Sequence, residues 1–531
     1  MTTKQYDAYS DLITFTRAST GTALRRVGYG AELVTNGTFD TDISGWTDNS
    51  SAGGSIAWNA AGYLDLDADA ATSRASQDIA VTAGSVYAVS ITVVNLGGSS
   101  ASALYLDGAA LSKINFVVEG VGTHTIYYVA PDSLLNISIR NFTTGTTVSI
   151  DNISVKEVIF DRATDPLVLF NHPTNVPRIE YDANGNRKGL LIEEARTNLI
   201  LQSGNLEAAP WGATNVTTSV DASTAPDGGD MTLLTSTGVN ADTAVSQTTG
   251  ASIGTTYTAS VFVRRDQHRF AILFGFGNGT SGVAFDLVLG TAQVNATWVS
   301  AGIDIISPTI ARIYGVVTPA LNSTLFVGLA SSIGGLKVFS GGEALSFWGA
   351  QLEAGSFPTS YISTAGAAAT RAADVASIPT SAFGYNADKG TVVCEFEYQY
   401  AIGGGFVRTW EIAGNNVDRI NLYTSNSSGR LNFAAVENSI IQVAFNNLAE
   451  FNAFRDLNTS VAFSNNDFAA VVDGILKDTS TSGSITNPSV PRDKFSIGSN
   501  FTTGNQLNGH IKSIQYYPRR LSNAQLQRLT A

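Results

Sequence analysis

Gly84-Ser85-Val86-Tyr87-Ala88-Val89-Ser90-Ile91-Thr92-Val93 is matched, at identical spacing, by Gly254-Thr255-Thr256-Tyr257-Thr258-Ala259-Ser260-Val261-Phe262-Val263. In both, a glycine turn leads into a run in which the tyrosine and alternate small or branched apolar residues fall on one side. That is the period-two pattern of a half-buried strand. The copies also close alike, Ser149-Ile150-Asp151-Asn152-Ile153-Ser154-Val155 corresponding to Ser346-Phe347-Trp348-Gly349-Ala350-Gln351-Leu352. They open alike as well, with Leu33-Val34 leading to Trp46 and Leu199-Ile200 leading to Trp211. Two copies of one module follow. Further alternating runs, such as Leu135, Ile137, Ile139 and Leu325, Val327, Leu329, are separated by Gly/Ser/Asn turns and predict many short strands arranged as sandwiches.

Composition agrees. The chain has 531 residues, enough for about three cores. It carries 51 glycines and only 14% charged residues, a usage suited to strands and turns. Lys+Arg 31 against Asp+Glu 44 gives a net charge of −13 with no basic stretch, so neither nucleic acid nor an anionic membrane is an expected partner. No run reaches the ~18 apolar residues of a membrane span. The opening Met1-Thr2-Thr3-Lys4-Gln5-Tyr6-Asp7 lacks a signal peptide's apolar run, so synthesis and retention in the cytoplasm are expected. The single cysteine, Cys394, excludes an intrachain disulfide.

The string Leu33-Val34-Thr35-Asn36-Gly37-Thr38-Phe39-Asp40, with Gly45-Trp46 and the closing Ser149 to Val155, resembles the jelly-roll carbohydrate-binding modules of polysaccharide-degrading enzymes and phage tails. The resemblance covers residues 33 to 158 and, more loosely, 199 to 357. Phe15-Thr16-Arg17-Ala18-Ser19-Thr20-Gly21-Thr22 and Val176-Pro177-Arg178-Ile179-Glu180-Tyr181-Asp182, the latter continued by Gly189 to Leu199, resemble segments of phage tail and minor structural proteins. In that family the two segments lie close in sequence. Here the first jelly roll separates them, which predicts an inserted module with residues 1 to 30 packed on residues 159 to 198. Beyond residue 380, Val471-Val472-Asp473-Gly474, Phe495 to Ser499 and Leu507 to Tyr517 resemble a laminin-G/concanavalin-like sandwich. Within it Asp473-Gly474 reads as a tight hairpin turn. Ser522 and Gln525 form a capping box, predicting a short helix docked through Leu526 and Leu529.

The expected organisation is therefore all-β: an N-terminal virion-contact segment (1–30), an inserted jelly roll (31–158), a linker packed on the N-terminal segment (159–198), a second jelly roll (199–363), a linker (364–379) and a laminin-G/concanavalin-like domain (380–531). The resemblances imply a non-enzymatic component of a phage virion tail, at the tip or in a fibre, that is made in the host cytoplasm and recognises host cell-surface glycans. They also imply other virion tail proteins as partners and a homo-oligomer, with a trimer expected. Two other functions stay open: a purely structural virion or decoration protein, and a polysaccharide-degrading enzyme or its accessory subunit.

Side-chain chemistry narrows where a site could lie. His124, His172, His268 and His510 form no metal-ligand motif. Gly277-Asn278-Gly279-Thr280-Ser281-Gly282 precedes a strand pattern and reads as a glycine-rich hairpin. Asp65, Asp67 and Asp69 alternate along a strand but lack a calcium loop's glycine and glutamate, and read as a solvated face. No carboxylate pair is singled out for glycoside hydrolysis. Sugar binding calls for exposed rings with amides and carboxylates nearby. Trp46, Trp211, Trp298 and Trp348 are assigned to cores. Trp58 and Tyr63, flanking Asn59-Ala60-Ala61-Gly62, are the preferred stacking pair. Trp410 and Tyr423 with Asn415, Asn416 and Asp418 are the alternative. No cofactor is required, though the jelly-roll resemblance implies a structural Ca²⁺ near Asp40 and Asp151 of the first module.

Overall fold

A computed structural model describes residues 12–531 except 108–112, 223, 239–240, 278–281, 296–297, 322, 334–340, 400–405, 426–428, 451–454 and 487. The expectations for residues 1–11 and for the tip of the Gly277–Gly282 hairpin lie outside the described residues. Nearly all regular structure is antiparallel β-strand. The chain forms two compact units, one of residues Arg26–Pro166, the other of the residues up to Arg25 and from Leu167 on. The inserted unit begins and ends on neighbouring backbone, the Val27 amide donating to the Pro166 carbonyl at 3.1 Å.

The Arg26–Pro166 unit is a two-sheet sandwich. One sheet orders Gly122–Val129, Val86–Asn95, Thr147–Phe160 and Gly21–Glu32, with the hairpin Ser55–Asn59/Tyr63–Asp67 joined to Thr147–Phe160. The other orders Thr47–Asp48, Ser73–Ala80, Leu134–Asn141, Ser102–Leu106 and Ile114–Asn115. Tyr87, Val89, Ile91 and Val93 point inward as the alternation demands and meet Leu64, Leu66, Leu104, Ile137 and Ile139. Gly37 lets the opening loop reach the closing strand: its carbonyl accepts from the Ile153 amide at 2.9 Å, and a Cβ there would sit 2.0 Å from the Ile153 carbonyl oxygen.

The second jelly roll repeats this plan. Val216–Asp221, Met231–Ser236, Ala344–Ala354, Tyr257–Arg264 and Ile310–Val317 take the matching order in one sheet, with Trp298–Ile305 added at its edge. The facing sheet runs Gly212–Thr214, Ala244–Thr248, Thr324–Leu329, Phe270–Gly275, Gly282–Asp286 and Thr291–Asn295. The likeness extends to hydrogen bonds. Tyr87 accepts from the Thr82 amide at 2.8 Å and Tyr257 from the Ser252 amide at 3.0 Å. Trp46 Nε1 donates to the Asn36 carbonyl and Trp211 Nε1 to the Gln202 carbonyl. Both indoles are buried, and these bonds satisfy the polar edge of a core tryptophan.

The third sandwich is assembled from distant pieces. One sheet orders Thr14–Thr16, Val375–Pro379, Lys494–Ile497, Val407–Ala413, Arg419–Thr424, Arg430–Glu437 and Ile440–Glu450. The other orders Ile179–Tyr181, Arg187–Ile192, Gly509–Tyr517, Lys389–Tyr398, Asp456–Ser464, Asp467–Val472 and Ile475–Ser480. Residues 159–198 and 364–379 are thus more than linkers, and residues 380–531 alone are not the whole sandwich. Phe15, Ile179, Leu190, Ile192, Ala376 and Ile378 are buried in its core, so the apolar interior closes only when these strands join. Ala369–Arg371 also pairs with Arg196–Asn198. Asp473-Gly474 makes the expected turn, both residues at positive φ. Ser522 and Gln525 form the capping box of helix Asn523–Leu529, and Leu526 is fully buried. Leu529, expected to dock beside it, is 40% exposed, because it falls on the helix's outer side.

The N-terminal segment, the 159–198 stretch and the chain around residue 372 meet in a buried ionic cluster. Arg17 Nη1 lies 3.1 Å from Asp374 Oδ1, and Arg178 binds both Asp374 Oδ2 and Glu193 Oε2, the latter at 2.8 Å. Arg371 Nη1 is 3.3 Å from Glu193 Oε2. Arg17 also donates to the His172 and Pro173 carbonyls, and its amide to Asn175 Oδ1. Burial opposes ionisation of Glu193, but Arg371, Arg178 and Ser360 outweigh it and hold this carboxyl far below the usual range. Burial, followed by the charges of Arg25, Arg17 and Arg178, keeps His172 neutral well below its ordinary pKa.

Removing one member of such a cluster strands the others without solvent. Asp374→Asn is expected to cost about 3–5 kcal/mol, measured by denaturant unfolding. Both groups have folded pKa values depressed below their unfolded ones. Their stabilisation is therefore complete above the unfolded values, begins to fall below about pH 6.5 through His172, and falls further below about pH 4.5 through Glu193. An unfolding midpoint that stays flat from pH 7 to pH 4 would contradict this.

Candidate functional site

Trp58 lies on Ser55–Asn59, the outer strand of a hairpin at the edge of the first jelly roll. Its Nε1 donates to the Phe39 carbonyl at 2.8 Å, which fixes the indole while leaving the residue 40% exposed. That bond brings the ring beside Asp40, the next residue in the chain. Asp40 in turn stands near the closing strand: burial, reinforced by the Asp40 charge, raises the Asp151 carboxyl above its ordinary value. The structure therefore gathers Trp58, Asp40 and Asp151 at one corner, a grouping the sequence only suggested in parts.

Tyr63 does not complete a platform with Trp58. The hairpin register pairs Trp58 with Leu64 and Asn59 with Tyr63, so the two rings stand on opposite faces. Tyr63 shares its face with Asp65 and Asp67, which alternate with the buried Leu64 and Leu66 as a solvated strand face would. Asp65 is engaged by Asn59 Nδ2 at 2.8 Å and Ser149 Oγ at 2.6 Å.

The alternative group in the third sandwich is structural. Trp410 is fully buried and lies 6.1 Å from Phe495, because the strand Val407–Ala413 occupies the middle of its sheet. Asp418 is also fully buried. Burial would raise its pKa, but hydrogen bonds from Ser489, the Asn438 amide and Asn415 hold it low. Asn415 Oδ1 accepts from the Val417 and Asp418 amides, closing the loop. Asn416 is exposed, and its carbonyl is used by Arg419. Tyr423 is half-buried beneath Arg408, whose guanidinium carbon sits 4.9 Å from the ring centroid. These residues shape a hairpin and leave no common ring face for a sugar.

For a calcium ion, Asp40 and Asp151 supply two carboxylates. Asp151 already accepts from the Asn152 amide and Nδ2, and Asp40 from Thr38 Oγ1 at 2.9 Å. No third His, Cys, Asp or Glu joins them among the described residues. The acidic side chains alone fall short of the six to eight oxygens calcium takes.

Within the larger unit, a cleft is lined by Glu180, Lys188, Glu193, Phe262, Arg312 and Tyr361, among others. Glu180 meets His510 Nε2 at 2.6 Å, and its carboxyl is held low, His510 and Lys188 outweighing the effect of burial. A glycosidase needs one carboxylic acid kept protonated to donate to the leaving group. Of the four acids lining this cleft, Glu180, Asp182 and Glu193 are instead held below their ordinary values, and Asp304 is the fourth.

No protein-family model matches the chain, and no curated protein matches it. Among solved structures it is similar to Ruminococcus gnavus IT-sialidase CBM40 bound to alpha2,3 sialyllactose, at 15% identity over 28% of this chain and 84% of that one, with a TM-score of 0.24. It is similar also to the CBM22-1-CBM22-2 tandem of Paenibacillus barcinonensis Xyn10C, at 11% identity over 62% of this chain and 99% of that one, TM-score 0.21. Mouse laminin alpha1 chain LG4-5 matches at 9% identity over 61% of this chain and 94% of that one, TM-score 0.19. The β-sandwich architecture described above rests on this chain's own strand pairing.

The coupling at the corner can be measured directly. In Asp40→Asn the Asp151 carboxyl is expected to titrate at lower pH than in the parent chain, followed by carboxyl-carbon NMR. An unchanged titration would mean the two groups are not neighbours.

Proposed function

We propose that the protein is a non-catalytic glycan-binding component of a phage tail, made in the host cytoplasm and holding host cell-surface sugars through its sandwiches. The observation that carries the binding part is Trp58. An indole this exposed, held by its own N–H to the carbonyl that precedes Asp40, is suited to stack on the apolar face of a pyranose, with acids such as Asp40 available to accept from hydroxyls. The jelly-roll resemblance of residues 33 to 158 supports the same reading. The tail assignment draws on the resemblance of Phe15–Thr22 and Val176–Leu199 to tail protein segments, and virion proteins are the corresponding partners.

A single shallow ring gives weak binding, which repetition on a particle multiplies through effective concentration. A homotrimer would supply that repetition, and light scattering of the purified chain measures it. On a glycan array the full chain is expected to bind a defined set of sugars, and Trp58→Ala to weaken that binding about tenfold, roughly 1.4 kcal/mol, at unchanged folding stability. No binding to any glycan or to host cells would favour the purely structural alternative. Release of reducing ends from host polysaccharide would favour the degrading enzyme.

A further inference from the structure

The outer face of the five-stranded sheet of the first jelly roll carries a feature that Trp58 does not explain. Register places Arg74 directly opposite Arg140 on adjacent antiparallel strands, with Ser76, Ser138 and Tyr105 side by side in the next row. Both Nε atoms converge on one hydroxyl, Arg74 at 2.9 Å and Arg140 at 3.0 Å from Ser138 Oγ. The Arg140 guanidinium carbon lies 4.3 Å from the Tyr105 ring centroid, and Tyr105 meets Phe142 edge-on at 6.1 Å. Phe142 is 39% exposed. Neither arginine forms a salt bridge with a described carboxylate. Asp78, on the same face, lies four residues further along the strand and is engaged by Asn136 at 2.6 Å.

Like charges directly opposite each other across a strand pair destabilise the sheet. In a chain of net charge −13 carboxylates are plentiful, yet among the described residues none pairs with either arginine. Burial and the Arg74 charge push the Arg140 guanidinium below its ordinary pKa, as expected of a cation short of a counter-ion. The second jelly roll supplies an internal control. Pairing aligns Ser246, Phe326 and Phe274 with Ser76, Ser138 and Tyr105, and Ala244 and Gly328 with Arg74 and Arg140. There Phe274 and Phe326 stack on each other at 4.5 Å. The same fold therefore closes this face without arginines, and the pair is no requirement of the jelly roll.

We propose that this face of the first jelly roll binds the anionic group of an acidic sugar, with Arg74 and Arg140 gripping its carboxylate or sulfate and Tyr105 and Phe142 flooring the ring. A guanidinium presents parallel N–H donors that match a carboxylate or sulfate edge, and two of them converging on one spot favour a doubly held anion. The inference deepens the glycan-binding reading and rests on it, but uses a different face from Trp58.

The test uses the full chain and three matched probe pairs: sialyllactose with lactose, oligogalacturonate with its methyl ester, and a carrageenan tetrasaccharide, whose only acidic groups are sulfates, with its desulfated form. In at least one pair the acidic member should bind tenfold or more tighter than its neutral partner at 50 mM NaCl, and the advantage should shrink at 0.5 M as screening predicts. A response to the first two pairs identifies a carboxylate, and to the third alone a sulfate. Arg74→Gln/Arg140→Gln should abolish the preference. Arg140→Lys, which keeps the charge but not the fork, should lose most of the carboxylate preference with the unfolding transition intact, and decides the matter if the double variant does not fold. Trp58→Ala should retain the preference. Equal binding of acidic and neutral members overturns this inference alone, as does a preference that survives in the folded arginine variants. No binding to any of the six probes or to a glycan array removes the glycan-binding reading with it.

Discussion

Three arginines and two carboxylates sealed from water hold the larger unit of this protein together. Arg17, Arg178 and Arg371 come from segments far apart in the chain and share Asp374 and Glu193. Charges taken out of water are tolerated only when each finds partners, so none of these segments can leave without stranding the rest. Ser360, at the end of the second jelly roll, donates its hydroxyl and amide to Glu193, which ties that sandwich to the same point. The apolar strands that complete the third sandwich flank the cluster on both sides, Thr14–Thr16 ending next to Arg17 and Ile179–Tyr181 beginning next to Arg178. Hydrophobic burial supplies the bulk of the driving force, and the ions define which segments assemble.

The two kinds of arginine cluster in the molecule make an instructive contrast. The buried set is matched by acids and by backbone carbonyls, and its charges are spent internally. The pair on the first jelly roll is half-exposed, shares one serine hydroxyl and has no acid partner among the described residues. A folded interior cannot leave cations in that state, whereas a surface can, at a cost, if something from solution answers them. The two jelly rolls share one strand order, yet this face carries stacked phenylalanines in one and arginines with a tyrosine in the other.

Much of the architecture was legible in alternation and repetition. The tyrosine strands, the core tryptophans Trp46 and Trp211, the Asp473-Gly474 turn and the Ser522 capping box all depend on local periodicity or short-range hydrogen bonding, which neighbouring residues express in order. Sites were less legible. Trp410 and Trp58 both sit in strand-like runs, and nothing near either residue says that one strand lies mid-sheet and the other at an edge. Tyr63 failed as a partner for Trp58 because a register set by the turn put the two rings on opposite faces. The 159–198 and 364–379 segments read as linkers because single short strands look like loops until the sheet that needs them is known.

The sequence by itself determined that this is a multi-sandwich β protein with a duplicated module, because side chains two apart share a face and a repeat needs no third dimension to be recognised. Only the tertiary structure decided which rings remain exposed, which distant segments complete the third core, and that Arg74 and Arg140, sixty-six residues apart, stand face to face. Those outcomes depend on strand order and register across the whole sheet, and pairing between remote strands is set by collective burial that no local stretch encodes.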